Sequence, residues 1–97
     1  MKTNMVYVRK IVFDVSFNRS FKNYKRKLSD KELNKLKKSL LIFKKNPFDP
    51  RLKTHKLKGN LKNYWSFSIS YSDRILFRFL NNETVFFIDI GNHSVYR

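Results

Sequence analysis

The sequence predicts an α+β fold: an N-terminal strand, an αα-hairpin, then a three-stranded antiparallel meander, with both helices packed on one face of a four-stranded sheet. Two observations carry this. Apolar residues alternate with polar ones near the N-terminus and again over the last third of the chain, the period of a half-buried strand. Between them they recur every three to four residues, the period of a helix with one apolar stripe. The order strand, helix, helix, strand, strand, strand then favours helices laid over a single sheet. At 97 residues the chain is expected to form one domain over 1–97.

Each element follows from its own residues. In "VYVRKIVFDVSF" the apolar Ile11, Phe13 and Val15 alternate, which reads as the first strand. Phe17, Phe21, Tyr24 and Leu28 fall at i, i+4, i+7 and i+11, one stripe of a first helix. "SDKE" supplies a capping box, in which the Ser29 hydroxyl accepts from the Glu32 amide and the Glu32 side chain reaches back. Leu33, Leu36, Leu40 and Phe43 stripe a second helix, which Asn46 and Pro47 end. "NPFDPRLKTHKLKGNLKN" contains both prolines and one of the two glycines and reads as an irregular basic loop. Trp65, Phe67, Ile69 and Tyr71 then point toward the helices while Ser66, Ser68 and Ser70 point away. "YSDR" is a tight turn, Ile75–Leu80 a strand, "NNE" a hairpin turn, and Thr84–Ile90 the last strand. The serine-bearing face stays open beside the basic loop, a concave surface with a positive rim.

Charge bounds the function. Twenty-two Lys and Arg against 7 Asp and Glu leave +15, which calls for a polyanionic partner. A chain 41% hydrophobic and 16% aromatic is too apolar to be a disordered basic arm. The absence of cysteine excludes disulfides and thiolate metal sites and fits a reducing compartment. No apolar stretch is long enough to span a bilayer and no signal-peptide core is present, so a cytoplasmic protein that does not engage membranes is expected. The carboxylates are scattered and the two histidines lack ligand spacing, so neither metal nor other cofactor is expected. No nucleophile elbow supports a serine hydrolase.

"HKLKGNLKNYWSFSISYSDRILFRF" followed by "DIGNHSVYR" resembles the C-terminal half of RelE/ParE-superfamily toxins from bacterial type II toxin–antitoxin pairs. The shared pattern is a basic H-x-L-x-G loop, a Tyr-Trp strand, an Arg opening the next strand and a closing I-G-x-H-x-V-Y. The element order agrees over nearly the whole chain. The RelE branch, with its YoeB-like and YafQ-like relatives, implies the RelE-like ribonuclease fold and an mRNA endonuclease that cuts A-site codons on the ribosome without a metal. It further implies a cognate antitoxin, here expected to be acidic, in a hetero-oligomer, with the free toxin a monomer.

Metal-free RNA cleavage uses the 2′-OH as nucleophile, and needs a base for its proton, an acid for the leaving 5′-oxygen and cations for the phosphate. The resemblance assigns Arg74 to the phosphate; the competing reading is a strand-end ion pair with Asp73 or another carboxylate. It places His93, after the glycine turn, in acid or base duty, suited by an imidazole that titrates near working pH. Tyr96 matches a tyrosine that stacks on a base or touches the 2′-OH, and His55 matches an active-site loop histidine of YafQ-like relatives. Arg51, Lys53, Lys56, Lys58 and Lys62 are candidates for phosphate binding, an effect that should fall as salt rises. The last strand is expected to swing His93 and Tyr96 back over the open face. One departure stands out: where relatives carry lysines or an arginine on the strand after the loop, this chain has Ser66, Ser68 and Ser70. Two alternatives from other classes therefore remain, a ParE-like inhibitor of DNA gyrase and a non-catalytic basic RNA-binding module.

Overall fold

The computed structural model describes residues 7–61 and 63–92. Strand β1 (Lys10–Phe13) leads into helices α1 (Val15–Arg26) and α2 (Asp30–Lys45), and strands β2 (His55–Lys56), β3 (Trp65–Ser68), β4 (Arg74–Phe79) and β5 (Thr84–Gly91) follow. They form one sheet in the order β1-β5-β4-β3-β2, with β1 parallel to β5 and the other neighbours antiparallel. The α+β architecture is as expected, but the sheet has five strands, not four. The additional strand is β2, two residues long inside the stretch read as an irregular loop. Among the described residues no helix is long and apolar enough to cross a membrane.

Local chemistry sets the boundaries. Asp14 ends β1 by accepting the amide of Ser16 on its side chain, which makes it the N-cap of α1. Val15 therefore belongs to the helix and is exposed, rather than continuing the strand. The capping box at Ser29 and Glu32 forms with both of its hydrogen bonds, at 3.2 and 2.9 Å. Asn46 is the C-cap of α2, and its amide still donates to the Ile42 carbonyl.

Aromatic packing holds the helices to the sheet. Phe43 of α2 stacks on Phe67 of β3 at 4.2 Å and meets Phe77 and Phe87 edge-on at 5.1 and 5.6 Å. Phe17 of α1 meets Phe87 at 5.4 Å. Such edge and offset contacts add to area burial because ring edges and faces carry opposite partial charge. Val8, Leu36, Leu52, Ile69, Ile75, Val85 and Ile90 pack around these rings.

A bulge shifts the sheet register where the site lies. Leu76 pairs with Asp89 but Phe77 pairs with Phe87, so Ile88 is the extra residue on β5. Phe87 and Ile90, three residues apart, can then both face the helices, and Gly91 comes to lie opposite Arg74.

Candidate functional site

Register decides what shares the sheet face turned away from the helices. Residues directly opposite in an antiparallel pair project to the same side. Phe67, Ile75 and Phe77 face the core, so the row His55–Ser66–Leu76–Asp89 and the row Ser68–Arg74–Gly91 lie on the opposite face. His55 and Arg74 are thus two strands apart and one pleat repeat out of step. With about 4.8 Å between strands and about 6.8 Å per two residues, their Cα atoms are about 12 Å apart.

Arg74 is aimed by a serine. Its Nη1 donates to Ser68 Oγ at 2.6 Å across the β3–β4 pair. No ion pair joins it to a carboxylate among the described residues, so the competing reading of a salt bridge with Asp73 does not hold. Asp73 instead accepts the Tyr24 hydroxyl at 2.6 Å. Its amide donates to Ser70 Oγ, and its carbonyl accepts from the Ile69 amide. These bonds fix the turn that feeds Arg74 into β4 and tie it to α1. Burial, and then the neighbouring carboxylate, push the Tyr24 hydroxyl pKa up from its ordinary value.

The three serines consequently have separate positions and partners. Ser66 is fully buried, Ser68 orients Arg74, and Ser70 closes the turn. The face is less open at its middle than the alternation implied, because Leu76 beside Ser66 is buried too. Tyr71 corrects the expectation most sharply: β3 ends at Ser68, and Tyr71 stands 99% exposed in the turn rather than packed under the helices.

His55 is exposed on the edge strand, its Nδ1 3.1 Å from the Lys53 carbonyl oxygen. A carbonyl only accepts, so this contact calls for the proton on Nδ1 and leaves the Nε2 lone pair of the neutral ring available. Lys53 presents that carbonyl from a left-handed conformation, φ 52°, where a 3₁₀ turn over Pro50–Leu52 ends. Arg51 is engaged by Asp49 through Nε at 3.0 Å and Nη2 at 2.8 Å, and this fork lowers the Asp49 carboxyl pKa from 3.8 to about 2. Any phosphate reaching Arg51 must therefore compete with Asp49.

Lys56 and Lys58 are exposed on and after β2. Lys62, His93 and Tyr96 lie outside the described residues. A cavity of about 650 Å³ borders Arg74 and Ser68 and also takes in Arg51 and Lys53. The site residues predicted from sequence thus divide: His55 and Arg74 share the sheet face, and Arg51 and Lys53 join Arg74 around the cavity. Sequence reasoning missed Ser68 as the partner of Arg74 and Tyr24 as the anchor of Asp73. A tyrosine within an otherwise apolar helical stripe was the available signal, because a half-buried hydroxyl needs a partner.

A sequence model described as the bacterial toxin of type II toxin–antitoxin systems, YafQ, matches residues 9–96. The chain belongs to the YafQ toxin family. Among solved structures, YafQ from E. coli strain BL21(DE3) matches with a TM-score of 0.68 and 23% identity, over 89% of this chain and 94% of that one. The E. coli DinJ–YafQ toxin–antitoxin complex matches at 0.69 and 21% identity, over 88% and 92%. A copper-bound mutant toxin from Helicobacter pylori matches at 0.65 and 26% identity, over 91% and 98%. No curated protein sequence matches. At 21–23% identity the two E. coli structures establish the shared fold; membership of the YafQ family rests on the sequence match.

Proposed function

We propose that this YafQ-family toxin is a ribosome-dependent, metal-independent mRNA endonuclease of the cytoplasm. It cuts codons in the ribosomal A site by attack of the 2′-OH on the adjacent phosphate. The observation that carries this reading is that His55 and Arg74 stand on the same sheet face, the imidazole with no partner on Nε2 among the described residues and the guanidinium already oriented by Ser68.

The roles follow from the chemistry. His55 Nε2 takes the 2′-OH proton as the 2′-oxygen bonds to phosphorus. Arg74 stabilises the charge that develops on the non-bridging oxygens. The bond to the 5′-oxygen breaks, leaving a 2′,3′-cyclic phosphate, and an imidazolium returns a proton to the leaving oxygen. By its motif His93 is assigned that acid and Tyr96 a contact to the base or 2′-OH. Gly91, which precedes both in the sequence, lies opposite Arg74 with no side chain to crowd it. Exposed Lys53, Lys56 and Lys58 hold neighbouring phosphates.

An acidic antitoxin is the proposed protein partner. The net charge of +15 favours such a segment, and the related E. coli toxin is found in a complex with DinJ. An acidic chain laid over this face would neutralise its cations and obstruct RNA together.

Primer extension on mRNA bound to purified ribosomes tests the assignment. The wild-type chain should produce cuts in the A-site codon. Arg74→Ala should lower the rate by about 10²–10³-fold, the scale of removing one transition-state donor, while retaining the fold by circular dichroism. Undiminished cutting by Arg74→Ala would remove it from the site. No cutting by the wild type, with inhibition of gyrase supercoiling instead, would move the protein to the ParE-like class.

A further inference from the structure

The cavity beside Arg74 does not stop at the sheet face. β2 pairs only with Trp65 and Ser66, so the edge of β3 beyond them faces the 3₁₀ turn that carries Arg51 and leads to Lys53. The same cavity reaches Lys35 and Ser39 on the polar side of α2 and is bounded by Tyr71 in the β3–β4 turn. Its wall carries Lys35, Arg51, Lys53 and Arg74 and, among the described residues, no carboxylate. Even with Arg51 offset by Asp49, three cations line it without an ion-pair partner among the described residues. Tyr71 makes no hydrogen bond or ring contact with any other described residue.

We propose that this groove is a second RNA subsite, in which Tyr71 stacks on the base of a nucleotide next to the one held at the sheet face while Lys35 and Lys53 take the flanking phosphates. An unengaged aromatic face beside a cationic track is the combination that binds single strands, since every base has a π-face and every linkage a charge. A peptide occupant would need pockets for apolar anchors, and the one aliphatic residue on this wall among the described residues, Ile69, is buried in the core. Tyr71 and Arg74 are three residues apart across one turn, so a base on the tyrosine adjoins a phosphate on the arginine. The position of the cut relative to this subsite rests on the nuclease reading; the binding itself does not.

Fluorescence anisotropy with a 2′-O-methyl hexaribonucleotide, which lacks the nucleophile and cannot be cut, tests the subsite on the isolated chain. Tyr71→Ala should weaken binding about tenfold, within the range for loss of one stacked base, and Tyr71→Phe should bind within about twofold of wild type, since it keeps the stacking face. An oligomer of the same length with every base removed should not distinguish wild type from Tyr71→Ala. Lys35→Ala should reduce the salt slope by about 0.7, one single-strand phosphate contact. The proposal is overturned by equal binding of wild type and Tyr71→Ala, by a Tyr71 effect that persists on the abasic oligomer, or by wild-type binding too weak to measure. Preference for an acidic heptapeptide over the oligomer likewise overturns it, in favour of a protein occupant. A Tyr71 effect without ribosomal cleavage keeps the subsite and removes the nuclease reading; cleavage without a Tyr71 effect does the reverse.

Discussion

Tyr24→Phe isolates one hydrogen bond that couples the helices to the turn before Arg74. The hydroxyl donates at 2.6 Å to a carboxylate in a half-buried place, and hydrogen bonds to charged groups contribute about 1.5–3 kcal/mol. Partial solvation argues for the lower end, about 1.5 kcal/mol. With about 2.1 cal/mol/K of unfolding entropy per residue, a 97-residue chain has roughly 0.2 kcal/mol/K, so Tm should fall by about 7 °C. Urea unfolding at pH 7 measures the free energy directly. Tyr24→Phe within about 0.3 kcal/mol of wild type, less than the cost of losing even a weak hydrogen bond, would show that the contact contributes nothing.

The pH dependence gives the same bond a second signature. The folded-state pKa of Tyr24 is raised above its ordinary 10.0, by burial first and Asp73 second. A raised pKa means that folding favours the protonated form, so this contribution is complete below pH 10 and is lost as pH climbs through the folded value. The stability gap between wild type and Tyr24→Phe should therefore narrow above pH 10. A gap that widens there would contradict the assignment of the proton.

Two further perturbations test the core and the loop. Phe43→Ala should cost about 3–5 kcal/mol by urea unfolding, because its ring lies among Phe67, Phe77 and Phe87; a loss below 1 kcal/mol would mean those rings close over the gap. Arg51→Ala should move the NMR titration midpoint of the Asp49 carboxyl from about 2 up toward the ordinary carboxylate range, and an unmoved midpoint would show that the fork is not what lowers it.

The helices were legible because their signals are local. The capping box at Ser29 and the stripe through Leu36 and Phe43 each need only neighbours within a turn or two, and both form as read. β2 was not legible, since two residues cannot display a period and their pairing with Trp65 and Ser66 is set by tertiary register. Alternation misled at Tyr71 because the pattern runs on past Ser68, where the chain leaves the sheet, and nothing local marks that exit. The bulge at Ile88 was equally hidden: "VFFID" fits either parity until β4 is placed beside it. The resemblance selected His55 and Arg74 as residues of interest, but only the strand register puts them on one face.

That register also gives physical meaning to Ser66 and Ser68. A lysine in place of Ser68 would stand directly opposite Arg74, and like charges directly opposite in an antiparallel pair are destabilising. Serine removes the repulsion and supplies an acceptor, so the guanidinium is held in one orientation. At Ser66 the side chain is fully buried, where an unpaired ammonium would be strongly disfavoured. A lysine at either position would therefore be costly, by repulsion at 68 and by desolvation at 66. This face carries Arg74 and, further along β4, the exposed Arg78, with the loop lysines beside them, and His55 stands exposed at its edge.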